Sequence, residues 1–550
     1  MSASSKKKLR KEQNAAALTE KQLQEQKEAK KLKAYTTGFL TAIIAIVCIA
    51  LITICVTTYV NSGIIERNTE SVKIGDHTLN AAQFNFYFID EFQRTYSEWE
   101  ELYGESASMY IAWEEKFDIT KPLNEQKHPS EEGKTYADFF VDLAVDKARE
   151  TYALYDAAQA AGYTLSDEEK ENIDATVQNM EFWGQLYGYS GLKDYVKTVY
   201  GKGANEENLR EYLTVTGTAN AYKAAYKDEL TIAAADVEAY NTEHFVDFSS
   251  FSYSSLVLLP DDFIEHEDEN SHNHTDEEKQ AALEKAKEAA DDLVATGAAT
   301  FEDLKKAVTE AGIFDDVLKK VTQHKDILYT KLSPVIGEWL AEEGREAGQL
   351  GVIPYTSTST NEDGEEVEEV VGYYVVLFEG RNDNEVKLVN VRHILAEFKG
   401  GTTDSNNEKV YSEDEKAEAK ARAEKALKAW TDGEKTEESF AALVKEHSDD
   451  DGSVENGGLY ENVFPGQMVT AFNDWCFDAE RKAGDYEIVE TEYGYHVIYF
   501  VETTDTTYRN HMIEDILTEE AHEAWCEGLI ENTTGTILDP SKLSVDMKAS

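Results

Sequence analysis

Cysteine is scarce in this chain, with four among 550 residues. Cys48 and Cys55 fall inside one apolar run, while Cys476 and Cys526 each follow a tryptophan in a stretch of helical periodicity. Packed thiols are therefore expected there, and a disulfide framework is not. Positive charge is scarce as well: 53 Lys and Arg stand against 108 Asp and Glu, for a formal charge of −55. The shortage is uneven. Residues 1–35 hold ten Lys/Arg and four Glu, a net of +6, which leaves −61 for the remainder. A body so acidic argues against nucleic acid as a partner, because phosphate binding needs clustered positive charge. It favours solubility and repulsion between copies.

Charge of either sign is missing from Ala34 to Ile65. Within that gap Phe39 to Val60 is predominantly apolar, and about 22 residues at about 1.5 Å each match a hydrocarbon core of about 30 Å. A transmembrane helix is expected over residues 36–60. The basic flank precedes it and the acidic body follows, so the positive-inside rule places residues 1–35 in the cytoplasm as a flexible or loosely helical tail. Everything after about residue 61 is then extracytoplasmic. Cys55 follows Thr53-Ile54, a poor match to a lipid-attachment site, which favours a single-pass anchor.

Beyond the span, Ser71 to Leu79 reads as a hairpin turning at Gly75-Asp76. Long amphipathic patterns follow over residues 61–245, with Ser166 and Glu169 spaced as a capping box. This α-rich region carries many Tyr and Phe. Such rings serve as core or line a groove for apolar segments of another chain.

Two later segments share one plan. The second opens on Lys387 to Leu395 and closes on Gly494 to Phe500; a helix capped at Ser412, a second around Phe440 and a third through Phe472 lie between. The first opens on Phe251 to Val257 and closes on Gly372 to Phe378; a helix capped at Thr275, another around Leu304 and a third through Ile336 lie between. Apolar strands at the ends and a 3.6-residue period in the middle predict a β-α-α-α-β module at 246–380 and another at 385–503, within an α+β multidomain chain. The copies differ at polar positions. His393 corresponds to Ser255 and His496 to Tyr374, while the apolar Met468 and Phe472 correspond to Leu332 and Ile336. Two histidines kept in one copy of a duplicated scaffold, and absent from the other, point to a site in the second copy. A third histidine group, His266, His272 and His274, sits among carboxylates. Its spacing matches no closed tetrahedral metal site, so no metal centre is expected.

The second module resembles the parvulin family of peptidyl-prolyl isomerases. The resemblance rests on Val391-Arg392-His393-Ile394-Leu395, Ser448-Asp449-Asp450, Gly457-Gly458-Leu459, Gly466-Gln467-Met468 with Phe472, and Thr491-Glu492-Tyr493-Gly494-Tyr495-His496. The wider order, an α-rich region followed by parvulin-like modules and a C-terminal helix over 504–550, resembles the PrsA and SurA foldases, with the first module degenerate. The resemblance implies that His393 and His496 form a paired-histidine core with Asp450 and Thr491 beside them. It implies that Leu459, Met468 and Phe472 line a proline pocket. Asn456-Gly457-Gly458-Leu459-Tyr460 departs from the usual Gly-Gly-Asp-Leu-Gly, and Tyr493 stands where small residues are common. Ala396 to Val410 lacks the basic loop of phosphate-directed relatives. Implied partners are partly folded exported proteins with X-Pro bonds, together with the bilayer. The expected activity is isomerisation and folding assistance outside the cytoplasmic membrane. The alternative is a holdase that uses the fold only to bind peptide. Rotating the bond breaks none, so no cofactor is required. Tyr508 to Leu529 reads as an amphipathic helix that folds back on the N-terminal helices.

Overall fold

Lys, Glu, Gln and Ala dominate the first 35 residues, and Gly38 is the only helix breaker before Asn61. Strong helix formers without interruption propagate a helix. In the computed structural model, which describes residues 3–130, 133–264, 275–314, 320–360, 366–403 and 407–538, one helix runs from Ala3 to Asn61. The basic tail, expected to be flexible or loosely helical, is thus part of the same helix as the apolar run. Thr41–Asn61, 21 residues with a mean hydropathy of 2.7, is long and apolar enough to cross a membrane. Two of its hydroxyls are satisfied within the helix: Thr53 and Thr57 donate to the carbonyls of Ile49 and Thr53 at 2.8 and 2.7 Å. The histidine group between Glu265 and His274 lies outside the described residues.

The chain divides into two compact units, one built from residues up to Leu230 together with those from Glu520, the other from Thr231–Glu519. In the first, the strands Glu70–Ile74 and His77–Asn80 form the expected hairpin, with Gly75 in the turn at φ +54°. The helices Ala81–Tyr103, Tyr136–Ala161, Asp167–Leu186 and Glu206–Glu229 start on capping boxes at Asn80, Thr135, Ser166 and Asn205. Their buried faces pool Phe84, Phe86, Phe88, Phe92, Tyr136 and Phe140 with Phe117 of an intervening loop into one aromatic core. The last residues of the chain complete this unit. Trp525 stacks on Tyr226 at 3.7 Å, Cys526 packs with Leu154 and Ala219, and Gly535–Ile537 pairs antiparallel with Glu70–Ile74. Cys476 and Cys526 are both buried free thiols.

The second unit holds two four-stranded antiparallel sheets of one design. Edge to edge, one runs Thr322–Leu328, Ser250–Leu258, Glu366–Asn382, Leu350–Thr360; the other runs Leu459–Val463, Lys387–Glu397, Gly494–Thr507, Tyr486–Glu490. Each module therefore has two more strands than the expected β-α-α-α-β plan, one before and one after the third helix. The registers coincide. His393 lies opposite Ile498 and His496 opposite Leu395; Ser255 lies opposite Val376 and Tyr374 opposite Val257. A cation–π pair recurs at the same place, Arg345 over Trp339 at 3.7 Å and Arg481 over Trp475 at 4.0 Å. Each arginine also donates from Nε to the carbonyl of its own tryptophan.

Strand alternation sorts the second sheet's two faces. Ile394, Ala396, Tyr495 and Val497 pack on the helices Glu413–Thr431 and Glu437–His447 through Ala419, Ala423, Trp430, Phe440 and Val444. Val389, Val391, Ile498 and Phe500 pack on the short helix Thr470–Cys476 through Phe472, Trp475 and Cys476. His393 and His496 share the parity of this second set and so face the short helix.

Between the modules, Arg509 at the start of the helix Tyr508–Glu531 is fully buried. Its guanidinium donates to Asp383 O at 2.6 Å, Ser249 Oγ at 3.0 Å, Asn241 Oδ1 at 3.2 Å and the carbonyl of Phe245, whose ring it also covers at 3.9 Å. Asn384, at φ +56°, donates from its side chain to Phe248 O and Ser250 Oγ.

Candidate active site

The site grows from two neighbouring strands and the turn beneath them. His393 sits mid-strand, its N–H bonded to Gly458 O at 2.8 Å. Gly458 has φ +73°, and a Cβ there would lie 2.3 Å from the His393 carbonyl. Only glycine lets the Ser453–Gly458 turn close this tightly on the histidine strand. That turn delivers Asp450 and Ser453 under the imidazole.

Four side chains then form a single line. Thr491 Oγ1 lies 2.9 Å from His496 Nε2, His496 Nδ1 lies 3.2 Å from His393 Nδ1, and His393 Nε2 lies 2.8 Å from Asp450 Oδ2. Asp450 Oδ2 also accepts from Tyr460 OH at 3.0 Å and from the Ser453 hydroxyl. The Tyr493 N–H donates to Thr491 Oγ1 at 3.2 Å. An ionised carboxylate only accepts, so His393 carries its proton on Nε2. With both imidazoles neutral, the remaining protons fall in one direction. His496 Nδ1–H donates to His393 Nδ1, and Thr491 O–H donates to His496 Nε2. Each polar atom of the line has a partner, as burial demands.

Electrostatics agree with neutral His496. Burial first, then the adjacent His393 imidazole, pushes its pKa down to about 3. The hydrogen bond from His393, supported by Ser453 and Tyr460 against the opposing effect of burial, holds the Asp450 carboxyl well below the usual carboxylate range. Burial and the bond to Asp450 raise Tyr460 to about 12. An unfolded histidine titrates near about 6.5. As pH falls from there toward about 3, the unfolded chain binds a proton at position 496 that the native chain refuses. The stability tied to His496 is therefore complete above that window and declines within it by up to roughly 1.4 kcal/mol per pH unit. Asp450, depressed as well, adds its loss at the acid end. Nitrogen-15 NMR of the imidazoles is the direct check. His496 should remain the neutral Nδ1–H tautomer with no titration step between pH 5 and 8; a step there contradicts the relay.

Over the histidines lies an apolar surface. The Phe472 ring meets both imidazoles edge-on, at 5.8 Å and 83° to His393 and 5.3 Å and 86° to His496. Tyr460 stacks on His393 at 4.5 Å, and half-buried Met468 packs into the same cluster. The structure thus brings His393, His496, Asp450 and Thr491 together, with Phe472 and Met468 beside them. Leu459 is not gathered with Phe472: it precedes Tyr460 on the strand, and alternation turns it to the other side. Sequence reasoning missed Ser453 and Tyr460. Tyr460 lies opposite Val391, on the histidine face, a placement that only the pairing register reveals.

Such a site holds an apolar surface above a fully committed polar line. Among the described residues, no group of three or more His, Cys, Asp or Glu is placed to hold a metal ion.

Residues 373–504 match the PPIC-type peptidyl-prolyl isomerase domain. This segment is a parvulin domain. The match begins in the last strand of the preceding sheet, ahead of the parvulin domain's own first strand at Lys387. Over part of its length the chain is similar to SurA and PrsA foldases. It is 36% identical over 153 residues to the chaperone SurA of Chromohalobacter salexigens, covering 27% of this chain and 31% of that one. It is 30% identical over 112 residues to the foldase PrsA of a Geobacillus species, covering 20% of this chain and 40% of that one. The match thus spans well under half the length of these relatives. The crystal structure of PrsA from Bacillus subtilis aligns over 75% of this chain and 91% of its own at 15% identity, with a TM-score of 0.26, a likeness too loose to weigh.

Proposed function

We propose that this chain is a membrane-anchored foldase that catalyses peptidyl-prolyl isomerisation on exported proteins at the outer face of the cytoplasmic membrane. The observation that carries the reading is the apolar surface of Phe472 and Met468 set directly on the His393–His496 pair, in a segment that matches an isomerase family. Twisting a peptide bond costs about 18–20 kcal/mol because amide resonance is lost. The twisted bond is less polar than the planar one, so a dry apolar floor under the pyrrolidine ring favours it. In this reading Phe472 and Met468 hold the ring. Thr491, His496, His393 and Asp450 position one another and keep the floor rigid, because their donors are already committed. Uncatalysed X-Pro isomerisation takes tens to hundreds of seconds, slow enough to limit folding.

Residues 246–380 are, on this proposal, a second parvulin-like module that is degenerate. Matching strand order, register and Arg–Trp pairs support the kinship. Ser255 and Tyr374 in the histidine positions support the loss of function. The α-rich region, residues 61–245, would hold the client. The basic residues before the span would sit in the cytoplasm and the modules outside.

The test is a proline-limited refolding assay with the full chain in nanodiscs. Wild type should accelerate the slow phase, and His393→Ala combined with Phe472→Ala should remove the acceleration. No acceleration by the wild type would leave a peptide-binding holdase as the better reading, and unchanged acceleration by the variant would overturn catalysis at this site.

A further inference from the structure

The last turn of the helix Asp167–Leu186 presents an apolar group to solvent: Phe182, Trp183, Leu186 and the capping Tyr187 are 61%, 48%, 64% and 73% exposed. Their rings contact one another, Phe182 with Trp183 at 5.5 Å and Trp183 with Tyr187 at 6.3 Å, so the group is one patch.

Its surroundings bear on what covers it. The patch helix is locked to the helix Leu192–Val199 at Gly184, where a Cβ would lie 3.0 Å from Tyr195. That second helix touches the end of the apolar span: Lys197 Nζ donates to Asn61 O at 3.1 Å. The loop after it closes on the same exit point. Gly203 packs backbone to backbone on Gly63, and Arg67 ties Gly203 O to Ser62 O, both at 3.1 Å. The patch therefore stands beside the place where the chain leaves the span.

Charge there is reversed. From Phe182 to Ala204 the only charged residues are Lys193, Asp194, Lys197 and Lys202, a net of +2 in a body that totals −61. The three lysines are exposed, and the Asp194 carboxylate accepts from the N–H and hydroxyl of Ser190. Tryptophan and tyrosine concentrate at the headgroup level of bilayers, and lysines near a membrane are drawn to anionic lipid. A mostly acidic protein that keeps a lysine-bearing aromatic patch next to its membrane exit matches that chemistry.

We infer that Phe182, Trp183, Leu186 and Tyr187, flanked by Lys193, Lys197 and Lys202, dock on the anionic bilayer surface and hold this unit against the membrane. The inference rests on the membrane-anchored reading above.

The test uses full-length protein in phosphatidylcholine vesicles with and without phosphatidylglycerol. Cys48 and Cys55 are replaced by Ala, and the buried Cys476 and Cys526 are left in place. A nitroxide at Leu186→Cys is compared with one at Leu102→Cys, an exposed position about 30 Å along the helix Ala81–Tyr103 from its start beside Gly203. With phosphatidylglycerol, the ratio of oxygen to nickel-chelate collisions at position 186 should exceed that at 102 several-fold. Replacing the three lysines by Gln should reduce the excess at least twofold. Equal ratios in a chain that resists alkaline extraction overturn docking and leave the anchor standing. A chain released by alkaline extraction overturns the anchor itself. A label at 186 that stays wet on vesicles but is immobilised by a reduced, carboxymethylated polypeptide assigns the patch to clients and overturns docking.

Discussion

Phe472→Ala should abolish acceleration of proline-limited refolding and destabilise the parvulin domain by about 3–5 kcal/mol, the usual cost of deleting a buried phenylalanine. The ring meets both imidazoles edge-on and is part of the cluster with Val391, Ile498 and Phe500. Loss of fold and loss of function would then coincide, so Phe472→Leu is the informative companion. A similar volume should keep the destabilisation below about 1.5 kcal/mol. The flat face that receives the pyrrolidine ring would nevertheless be gone, and kcat/KM should fall at least tenfold. Urea unfolding followed by the parvulin domain's tryptophans, together with the refolding assay, reads both quantities. A Phe472→Leu protein with wild-type kcat/KM would remove Phe472 from the pocket and leave Tyr460 and Met468 as the remaining candidates.

The second large effect is expected far from the site. Arg509→Met should destabilise the second unit by about 3–5 kcal/mol, because removing a fully buried guanidinium leaves its acceptors short of donors. Asp383 O and Asn241 Oδ1 lose this donor outright, while Phe245 O keeps only the Ser249 hydroxyl and Ser249 Oγ only Arg381. Arg509→Lys should not rescue it, since one ammonium cannot span acceptors arranged for a planar fork. Trypsin supplies a local readout: Arg381 and Lys387 flank the segment that Arg509 pins, and cleavage there should accelerate strongly in the variant. Stability within 1 kcal/mol of wild type, with unchanged cleavage, would show that the modules are joined by other contacts.

The two histidines were legible because a repeat supplied its own control: the same strands appear twice, and Ser255 and Tyr374 stand where His393 and His496 do. Burial patterns along Lys387–Glu397 and Gly494–Thr507 carried that comparison correctly into three dimensions. Other parts left little trace. Leu459–Val463 and Tyr486–Glu490 are short edge strands interrupted by Glu461 and Glu487, so their period was too weak to read. Ser453 reaches Asp450 only because Gly457 and Gly458 take positive φ and fold the turn beneath the sheet. Tyr460 was visible as a replaced glycine, but its stacking on His393 depends on a pairing register that one sequence does not state. Gly535–Ile537 is three residues long and becomes a strand only by meeting Glu70–Ile74.

That last pairing sets an order of events during synthesis. Ile74 and Gly535 are partners, yet both modules are made between them. At about 5–20 residues per second, the first hairpin waits on the order of a minute for its third strand. The modules carry their own sheets, and from the helix that follows they use its first turns, where Arg509 and Ile513 pack. The parvulin domain can thus be complete while the aromatic core of the other unit still lacks its closing strand, and that unit closes last, on the strand that follows the helix Tyr508–Glu531.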